Sequence, residues 1–175
     1  KGDSGSAWES IKLEVPGKET RNATIIKHEI GDIVVTHLCH KDENVRLIQI
    51  KKILDMVKGP AIILGDFNAL TREDYTDEFW EDTIVDRRNM SGWEPPRTDV
   101  TQFMKGRGFV DCWKCLNPEK KDIDAKTCRY STRIDYIWIS QDIAKRIDWD
   151  NSTCTQIDAE KVTDHKLLVV ELKWM

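Results

Sequence analysis

A short apolar run that ends in a polar loop constrains the fold of this chain more than any other stretch. Positions 61–64 are apolar and β-prone, and Gly65, Asp66, Phe67 and Asn68 follow directly. Such a run predicts a strand that is buried on both faces, with Gly65 allowing the backbone to turn at its end. Asp66 and Asn68 are two residues apart and can face the same way. A carboxylate and an amide at this edge fit either chemistry on a polar substrate or an Asx turn that closes the strand.

Length and charge limit the class of protein. The chain has 175 residues, of which 33% are charged, and we expect one domain over 1–175 with a substantial core. The formal net charge of −4 disfavours binding of nucleic acid by bulk electrostatics. It is compatible with a nuclease that has a local basic groove or a metal. No apolar run approaches the roughly 18 residues of a transmembrane segment.

The cysteines favour an intracellular location, cytoplasmic or nuclear. The chain has 5 cysteines at irregular spacing, which is a poor disulfide framework and predicts reduced thiols. Glycosylation sequons that begin at Asn22, Asn89 and Asn151 leave secretion as an alternative, but such triplets often arise by chance.

Apolar periodicity predicts alternating strands and helices. Strands are predicted at 11–15, 23–28, 33–38, 61–64, 134–140, 146–157 and 167–172, the last of them buried. Apolar residues at steps of three and four predict a helix over 41–58 that Asp42 caps. Further helices are predicted from Asp74 or Thr76 to about 88, and from Thr98 to about 105. A helix between two buried strands indicates an α/β layer.

Polar side chains interrupt or end the apolar strands at four places. These places are His37, the pair Asp66 and Asn68, Asp135, and the pair Asp164 and His165. A lone buried histidine is usually a satisfied core residue, but burying several unpartnered polar groups is costly. Four such positions of complementary type indicate that the strands converge on one site. Carboxylates there can bind a divalent cation or act as bases, and histidines can stabilise phosphate charge or transfer protons.

These motifs occur in the order and spacing of the endonuclease/exonuclease/phosphatase superfamily. The resemblance rests on Val-Val-Thr-His37-Leu, Gly65-Asp66-Phe67-Asn68, Arg133-Ile134-Asp135-Tyr136-Ile137 and Thr163-Asp164-His165, and it covers positions 21–172. It implies an α/β fold that is part of a four-layer αββα sandwich of the deoxyribonuclease I-like type, with mixed, mostly antiparallel sheets. It also implies a phosphoesterase that depends on Mg²⁺ or Mn²⁺. Nucleic acid, phospholipid and inositol phosphate are all substrates within that superfamily.

The resemblance implies roles for three residues at the ends of the predicted strands 33–38 and 61–64: two act on the attacking water and one contacts the phosphate. Asp66 would orient or deprotonate the attacking water, and Asn68 would hold that water or a phosphate oxygen. His37 would be a second contact to the phosphate.

Four residues receive roles on the phosphate and metal side. Asp164 would help to bind the divalent ion, and His165 would contact the scissile phosphate with its ring fixed by Asp135. A histidine held by a carboxylate has a defined tautomer and a raised pKa. Arg133, which lies next to this motif, is a candidate for substrate binding.

The chain departs from the family pattern near its start. The first half of the family fold supplies an asparagine and a metal-binding glutamate that commonly follows a glutamine, and no such Gln-Glu pair follows a buried strand here. We therefore expect an N-terminally incomplete domain whose missing segment completes the fold. The alternative is a non-catalytic pseudo-enzyme or binding domain of the same fold.

Weaker signals remain outside these motifs. Cys112 and Cys115 form a Cys-x-x-Cys pattern, but without a thioredoxin-like βαβ setting a structural role is favoured. Trp93 and other tryptophans can stack on bases, yet packing is their commoner role. The loops 87–98 and 117–132 are expected to determine substrate specificity.

Overall fold

The computed structural model describes residues 8–159 and 161–175, which form an α/β fold with two sheets. The larger sheet contains β1 (Trp8–Leu13), β2 (Arg21–His28), β3 (Gly31–His37), β4 (Ala61–Asp66), β5 (Phe109–Asp111) and β6 (Asp135–Ser140). The smaller sheet pairs β7 (Ile147–Ile157) with β8 (Leu167–Trp174). The helices are α1 (Glu43–Met56), α2 (Asp77–Phe79), α3 (Asp86–Ser91), α4 (Asp99–Gly106), α5 (Cys112–Leu116) and α6 (Gln141–Ala144). A π-helical stretch, Trp80–Val85, joins α2 to α3. None of the described helices combines the length and apolarity that crossing a membrane requires.

The larger sheet is mixed and mostly antiparallel. Its strand order is β1-β2-β3-β4-β6-β5, and β3 with β4 is the parallel pair. Helix α1 provides the crossover that a parallel pair needs, because no tight turn can join two strands that run the same way. Both strands of this βαβ unit therefore end at the same edge of the sheet.

The core lies on both faces of β4 and β6. One face packs against α1 and α4 through buried residues that include Ile50, Ile63, Met104 and Trp138. On the other face Ile137 and Ile139 pack against Leu168, Val170 and Leu172 of β8. The middle strands are thus covered by helices on one side and by the smaller sheet on the other, as the apolar run at 61–64 predicts.

Most predicted elements are present, with shifted ends. Asp42 caps α1 by accepting hydrogen bonds from the backbone N–H groups of Asn44 and Val45. Thr76, not Asp74, caps the second helical segment, through a 3.2 Å hydrogen bond from the N–H of Phe79. The prediction that 167–172 is a buried strand is wrong for one face of β8. Leu167 and Val169 are exposed because β7 and β8 form only two strands and pack on the larger sheet through one face.

Candidate active site

Strands β3, β4 and β6 bring three predicted site residues into one row across the larger sheet. β3 and β4 pair His37 with Asp66 at their carboxyl ends. β6 runs antiparallel to β4, so its first residue, Asp135, pairs with Asp66 from the other side. Because strand register fixes which side chains share a face, this row follows from the sheet itself and not from loop conformation.

Gly65 allows β3 and β4 to approach closely just before this row. Its φ is +132°, and an added Cβ would lie 1.9 Å from the carbonyl oxygen of Thr36. A side chain at position 65 would push the two strands apart, so the spacing between His37 and Asp66 depends on glycine here. The strand does not end at this glycine, as the sequence predicted, but continues to Asp66.

Asn68 orients the Asp66 carboxylate. It adopts a left-handed conformation with φ of +49°, and its backbone N–H donates to Asp66 Oδ1 at 2.8 Å. Its side-chain Nδ2 donates to the carbonyl oxygen of Leu38 at 3.2 Å. The Asx turn is therefore real, and it leaves the second oxygen, Oδ2, 3.4 Å from His37 Nε2. The turn and a chemical role for Asp66 are compatible.

His165 reaches the row from the segment just before β8. Its Nδ1 lies 2.9 Å from Asp135 Oδ2, and a short β-bridge pairs it with Cys128. The following N–H, of Lys166, donates to the carbonyl oxygen of Thr127 at 2.7 Å. The Thr127 hydroxyl in turn accepts from the backbone N–H groups of Ile134 and Asp135 at 3.0 and 3.1 Å. Thr127 thus links the histidine to the strand that carries its carboxylate partner.

The surroundings of Asp66, His165 and His37 shift the pKa of each of these side chains. Burial and the neighbouring Asp135 charge raise the pKa of Asp66 to about 6. Burial lowers the pKa of His165, but the carboxylates of Asp135, Asp66 and Asp164 outweigh it, and the pKa is raised overall. The pKa of His37 is lowered by burial and by Arg21 and His165. With a pKa of about 6, Asp66 is mostly ionised at neutral pH, while the raised pKa of His165 and the lowered pKa of His37 make His165 the more readily protonated of the two histidines.

Three of these residues form a group that fits a divalent cation. One ligand atom each from Asp66, Asp135 and His165 lies within 4.8 Å of the other two. Carboxylate oxygens suit Mg²⁺ and Mn²⁺, and imidazole is tolerated better by Mn²⁺. The raised pKa of Asp66 has a related cause, since two carboxylates that face one another repel and a cation between them would relieve the repulsion.

Asp164, the residue predicted to bind the metal, lies at the rim and outside this group. Its Oδ2 is 3.3 Å from Arg129 Nε, and about half of its side chain is exposed. The Asp164 backbone carbonyl also accepts from the Arg129 N–H at 2.9 Å. Asp164 is therefore engaged by an arginine, although its charge is close enough to raise the pKa of His165.

The prediction that Arg133 binds substrate is wrong. Its side chain is fully buried and has no surface for a ligand. It is held by Asp74, at 2.7 Å from Nε, and by Asp111, at 2.5 Å from Nη2. The guanidinium also lies 4.2 Å from the ring centroid of Tyr136. Arg133 therefore joins the helical and loop segments around it and does not take part in the site chemistry.

A cavity of about 520 Å³ lies beside the row and includes Asn68 and His165 in its lining. Arg87, Trp93 and Tyr130 also line it, and they come from the loop regions 87–98 and 117–132 that were expected to determine specificity. Trp93 was weighed as a stacking residue from sequence, but Arg87 and Tyr130 were not recognised. The available signal for Tyr130 was the motif that begins at Arg133, three residues later, because it places this loop next to Asp135.

The Cys-x-x-Cys pattern does not have the properties of a redox pair. Cys112 is buried in contact with Cys154, and that contact together with burial raises its pKa. Burial and Asp111 raise the pKa of Cys115 as well. Neither thiol is activated as a thiolate, so the favoured structural role stands.

No protein-family model matches this sequence, and neither does any curated protein sequence. Solved structures do match. The 3'-5' exonuclease NExo from Neisseria meningitidis gives a TM-score of 0.58 at 15% identity, over 96% of this chain and 80% of that chain. The endonuclease domain of TRAS1, a telomere-specific non-LTR retrotransposon, gives 0.51 at 18% identity, over 95% of this chain and 68% of that chain.

A third structure carries the family description itself. An endonuclease/exonuclease/phosphatase family protein from Leptotrichia buccalis gives a TM-score of 0.54 at 18% identity, over 97% of this chain and 62% of that chain. At these identities the similarity shows the fold. It confirms the predicted resemblance and the predicted deoxyribonuclease I-like α/β fold class.

Proposed function

We propose that this chain, whose fold is that of endonuclease/exonuclease/phosphatase structures, is a divalent-metal-dependent phosphoesterase that uses an activated water. The observation that carries the proposal is the convergence of Asp66 on β4, Asp135 on β6 and His165 just before β8 on one site. Similar structures include a 3'-5' exonuclease and an endonuclease domain. This favours nucleic acid, over phospholipid or inositol phosphate, as the class of substrate.

Asp66 is proposed as the base. With a pKa of about 6 its carboxylate is ionised at neutral pH and remains basic enough to take a proton from the attacking water. Asn68 orients this carboxylate through its backbone N–H, and its side-chain amide is proposed to hold the water or a phosphate oxygen. The turn after β4 would thus place the nucleophile.

His165 is proposed as the main contact to the scissile phosphate. Asp135 accepts from Nδ1, which leaves the Nε2–H of the imidazolium to donate to a phosphate oxygen. His37, half exposed on the other side of Asp66, would be the second phosphate contact. Positive charge aimed at the phosphate stabilises the charge that develops as water attacks.

The metal-binding residues are proposed to be the carboxylates of Asp66 and Asp135, because His165, whose two ring N–H groups both donate in this proposal, has no lone pair left for a metal. A bound Mg²⁺ or Mn²⁺ would supply positive charge to the phosphate and lower the pKa of water. Asp164 would join them only if its ion pair with Arg129 opened. Asp66 and Asp135 are paired only with imidazoles among the described ion pairs, which supports them as the primary carboxylate ligands.

A further segment is also proposed to complete the domain. The described metal group contains no glutamate, which the resemblance leads one to expect. Exposed apolar residues, Val35 on β3 and Leu167 on β8, mark sheet faces against which a further segment would pack. The same missing glutamate supports the second candidate function, a non-catalytic binding domain of this fold.

Hydrolysis of bis(p-nitrophenyl) phosphate with Mg²⁺ or Mn²⁺ tests the proposal. We expect turnover that chelation abolishes and that Asp66→Asn and His165→Ala each reduce by two orders of magnitude or more. Asp150→Asn is the matched acidic control, since Asp150 is exposed on β7. His28→Ala is the matched histidine control, because His28 pairs with Gly31 at the opposite end of β3 from His37. Absence of turnover would favour the non-catalytic domain, turnover that chelation leaves unchanged would overturn the metal dependence, and equal loss in the controls would overturn the assigned site.

A further inference from the structure

The cavity beside the candidate site is placed to receive the group attached to the reacting phosphate. Its volume of about 520 Å³ lies within the range of roughly 300–1,000 Å³ that is usual for small-ligand sites. Its walls come from the π-helical stretch and α3, from the loop that follows α3, and from the loop that precedes β6. Since His165 lines one side, a substituent on a phosphate at His165 would extend into it.

Two aromatic rings contribute to one wall of the cavity. The ring centroids of Trp93 and Tyr130 lie 5.1 Å apart, with an angle of 89° between the rings. Trp93 is 43% exposed, whereas Trp113 and Trp138 are buried in the core. Exposed rings of this kind bind nucleobases without regard to sequence, because every base has a π-face.

A buried network of charges fixes the loop that carries Trp93. The Glu94 carboxylate is paired with Arg46, and it accepts from the backbone N–H of Glu43 at 2.7 Å. Arg88 Nη1 donates to the Glu94 carbonyl oxygen at 3.1 Å, and the Trp93 N–H donates to the Arg88 carbonyl oxygen at 2.9 Å. The aromatic wall is therefore preorganised, which reduces the entropy that a ligand must remove.

The cavity is locally cationic. Lys41, Arg87 and Arg88 line it, and the acidic residue in the lining, Glu94, is already bound to Arg46. Arg87 also donates to the backbone carbonyl oxygen of Tyr130, which connects the two walls. Burial lowers the pKa of Arg88, whose guanidinium Nη1 lies 3.9 Å from a carboxylate oxygen of Glu94, an acid that Arg46 also binds. An anionic ligand would complete the solvation of Arg88.

We infer that this cavity binds the nucleoside of one unpaired nucleotide, with its base against Trp93 and Tyr130 and its phosphate at His165. The inference rests on the proposed phosphoesterase function and makes Trp93, Tyr130 and Arg87 determinants of specificity. A choline headgroup would meet arginines of the same charge, and an inositol phosphate would leave the aromatic wall unused. A base inside a duplex is stacked on its neighbours, so only an unpaired base can reach these rings.

Two esters with the same leaving group separate the nucleoside from the chemistry. Thymidine 5'-(p-nitrophenyl phosphate) carries the nucleoside, and methyl p-nitrophenyl phosphate lacks it. We expect the wild-type protein to prefer the thymidine ester by at least tenfold in kcat/KM, and Trp93→Ala to reduce that ratio about tenfold. Arg87→Gln is expected to reduce the same ratio. Trp174→Ala is the control, because Trp174 is also 43% exposed and contacts an arginine, Arg146, but lies on β8 outside the cavity.

The outcomes separate the two proposals. Absence of metal-dependent hydrolysis of both esters would overturn the phosphoesterase function. In that case, binding of thymidine 5'-monophosphate, measured by tryptophan fluorescence, tests the cavity on its own. Binding that Trp93→Ala weakens more than Trp93→Phe would support the nucleoside site, and equal binding by wild type and both variants would overturn it. Hydrolysis of both esters with a ratio near one, or a ratio that Trp93→Ala leaves unchanged, would overturn the nucleoside site alone. Faster cleavage of a blunt duplex than of the same oligonucleotide with an unpaired end would overturn the requirement for an unpaired base.

Discussion

Asp66 and Asp135 are register partners on adjacent antiparallel strands, and neither forms an ion pair with a lysine or an arginine within the described part of the chain. Two carboxylates in this position repel one another, and the repulsion together with burial raises the pKa of Asp66 to about 6. Protons and divalent cations therefore compete for the same place. The competition gives the first prediction.

Metal affinity is expected to rise with pH through 6. A carboxylate must lose its proton to bind a cation, so at pH 5 a group with a pKa of about 6 binds metal about tenfold more weakly than at pH 8. Calorimetric titration of Mn²⁺ at the two pH values measures the difference. Asp66→Asn should lose both the binding and its pH dependence, and equal affinity at pH 5 and pH 8 in the wild type would contradict the assignment of Asp66.

Asp135→Asn is expected to lower the pKa of His165. The substitution keeps the shape of the side chain but removes a charge that favours the imidazolium, so the histidine loses its proton more easily. Phosphoesterase turnover at neutral pH should fall by on the order of 10². Titration of the histidine ring signals by NMR measures the shift, and Asp142→Asn, an exposed acid in α6, is the control. A His165 pKa that does not change would show that the 2.9 Å contact carries no charge coupling.

Gly65→Ala is expected to destabilise the protein by at least about 2 kcal/mol. The new methyl group would lie 1.9 Å from the Thr36 carbonyl oxygen, in a conformation with φ of +132° that L side chains rarely adopt. Urea denaturation followed by circular dichroism measures the loss. Gly59→Ala is the matched control, because an added Cβ there meets nothing within 4 Å, and it should change stability by no more than about 0.5 kcal/mol.

Arg133→Met is expected to cost about 3–5 kcal/mol of folding free energy. The substitution leaves the buried carboxylates of Asp74 and Asp111 without their shared cation. Arg129→Met, which removes a mostly exposed arginine, should cost far less, because solvent screens an exposed ion pair. A stable Arg133→Met variant with a raised KM would restore the role in substrate binding that the buried position excludes.

The site residues at the strand termini were predictable because buried strands are apolar in sequence, whereas site residues are polar. His37, Asp66 and Asp135 stand out as polar residues in apolar strands, and the registers of three strands then bring them together. Arg133 was misjudged because its partners are 59 and 22 residues away, and no local pattern shows that a charge is paired in the core. An isolated arginine beside a site motif looks the same whether it contacts substrate or supports the fold.

The residues that line the cavity were harder to predict from the sequence. The cavity is formed by side chains from several separate segments whose arrangement depends on a π-helical stretch and on the buried pairing of Glu94 with Arg46. Such an arrangement has no periodic signal. The exposed face of β8 was missed for a related reason, since a continuous apolar run does not reveal how many faces will be covered.

His165 precedes a strand of one sheet, whereas Asp66 and Asp135 belong to the other. The apolar layer between Ile137 on β6 and Val170 on β8, together with the hydrogen bonds through Thr127, therefore holds imidazole and carboxylate together. A slip of one sheet over the other by an ångström or two would separate them while leaving the hydrogen bonds within each sheet intact. A variant with a loosened interior is accordingly expected to retain its circular dichroism spectrum while losing the proposed activity.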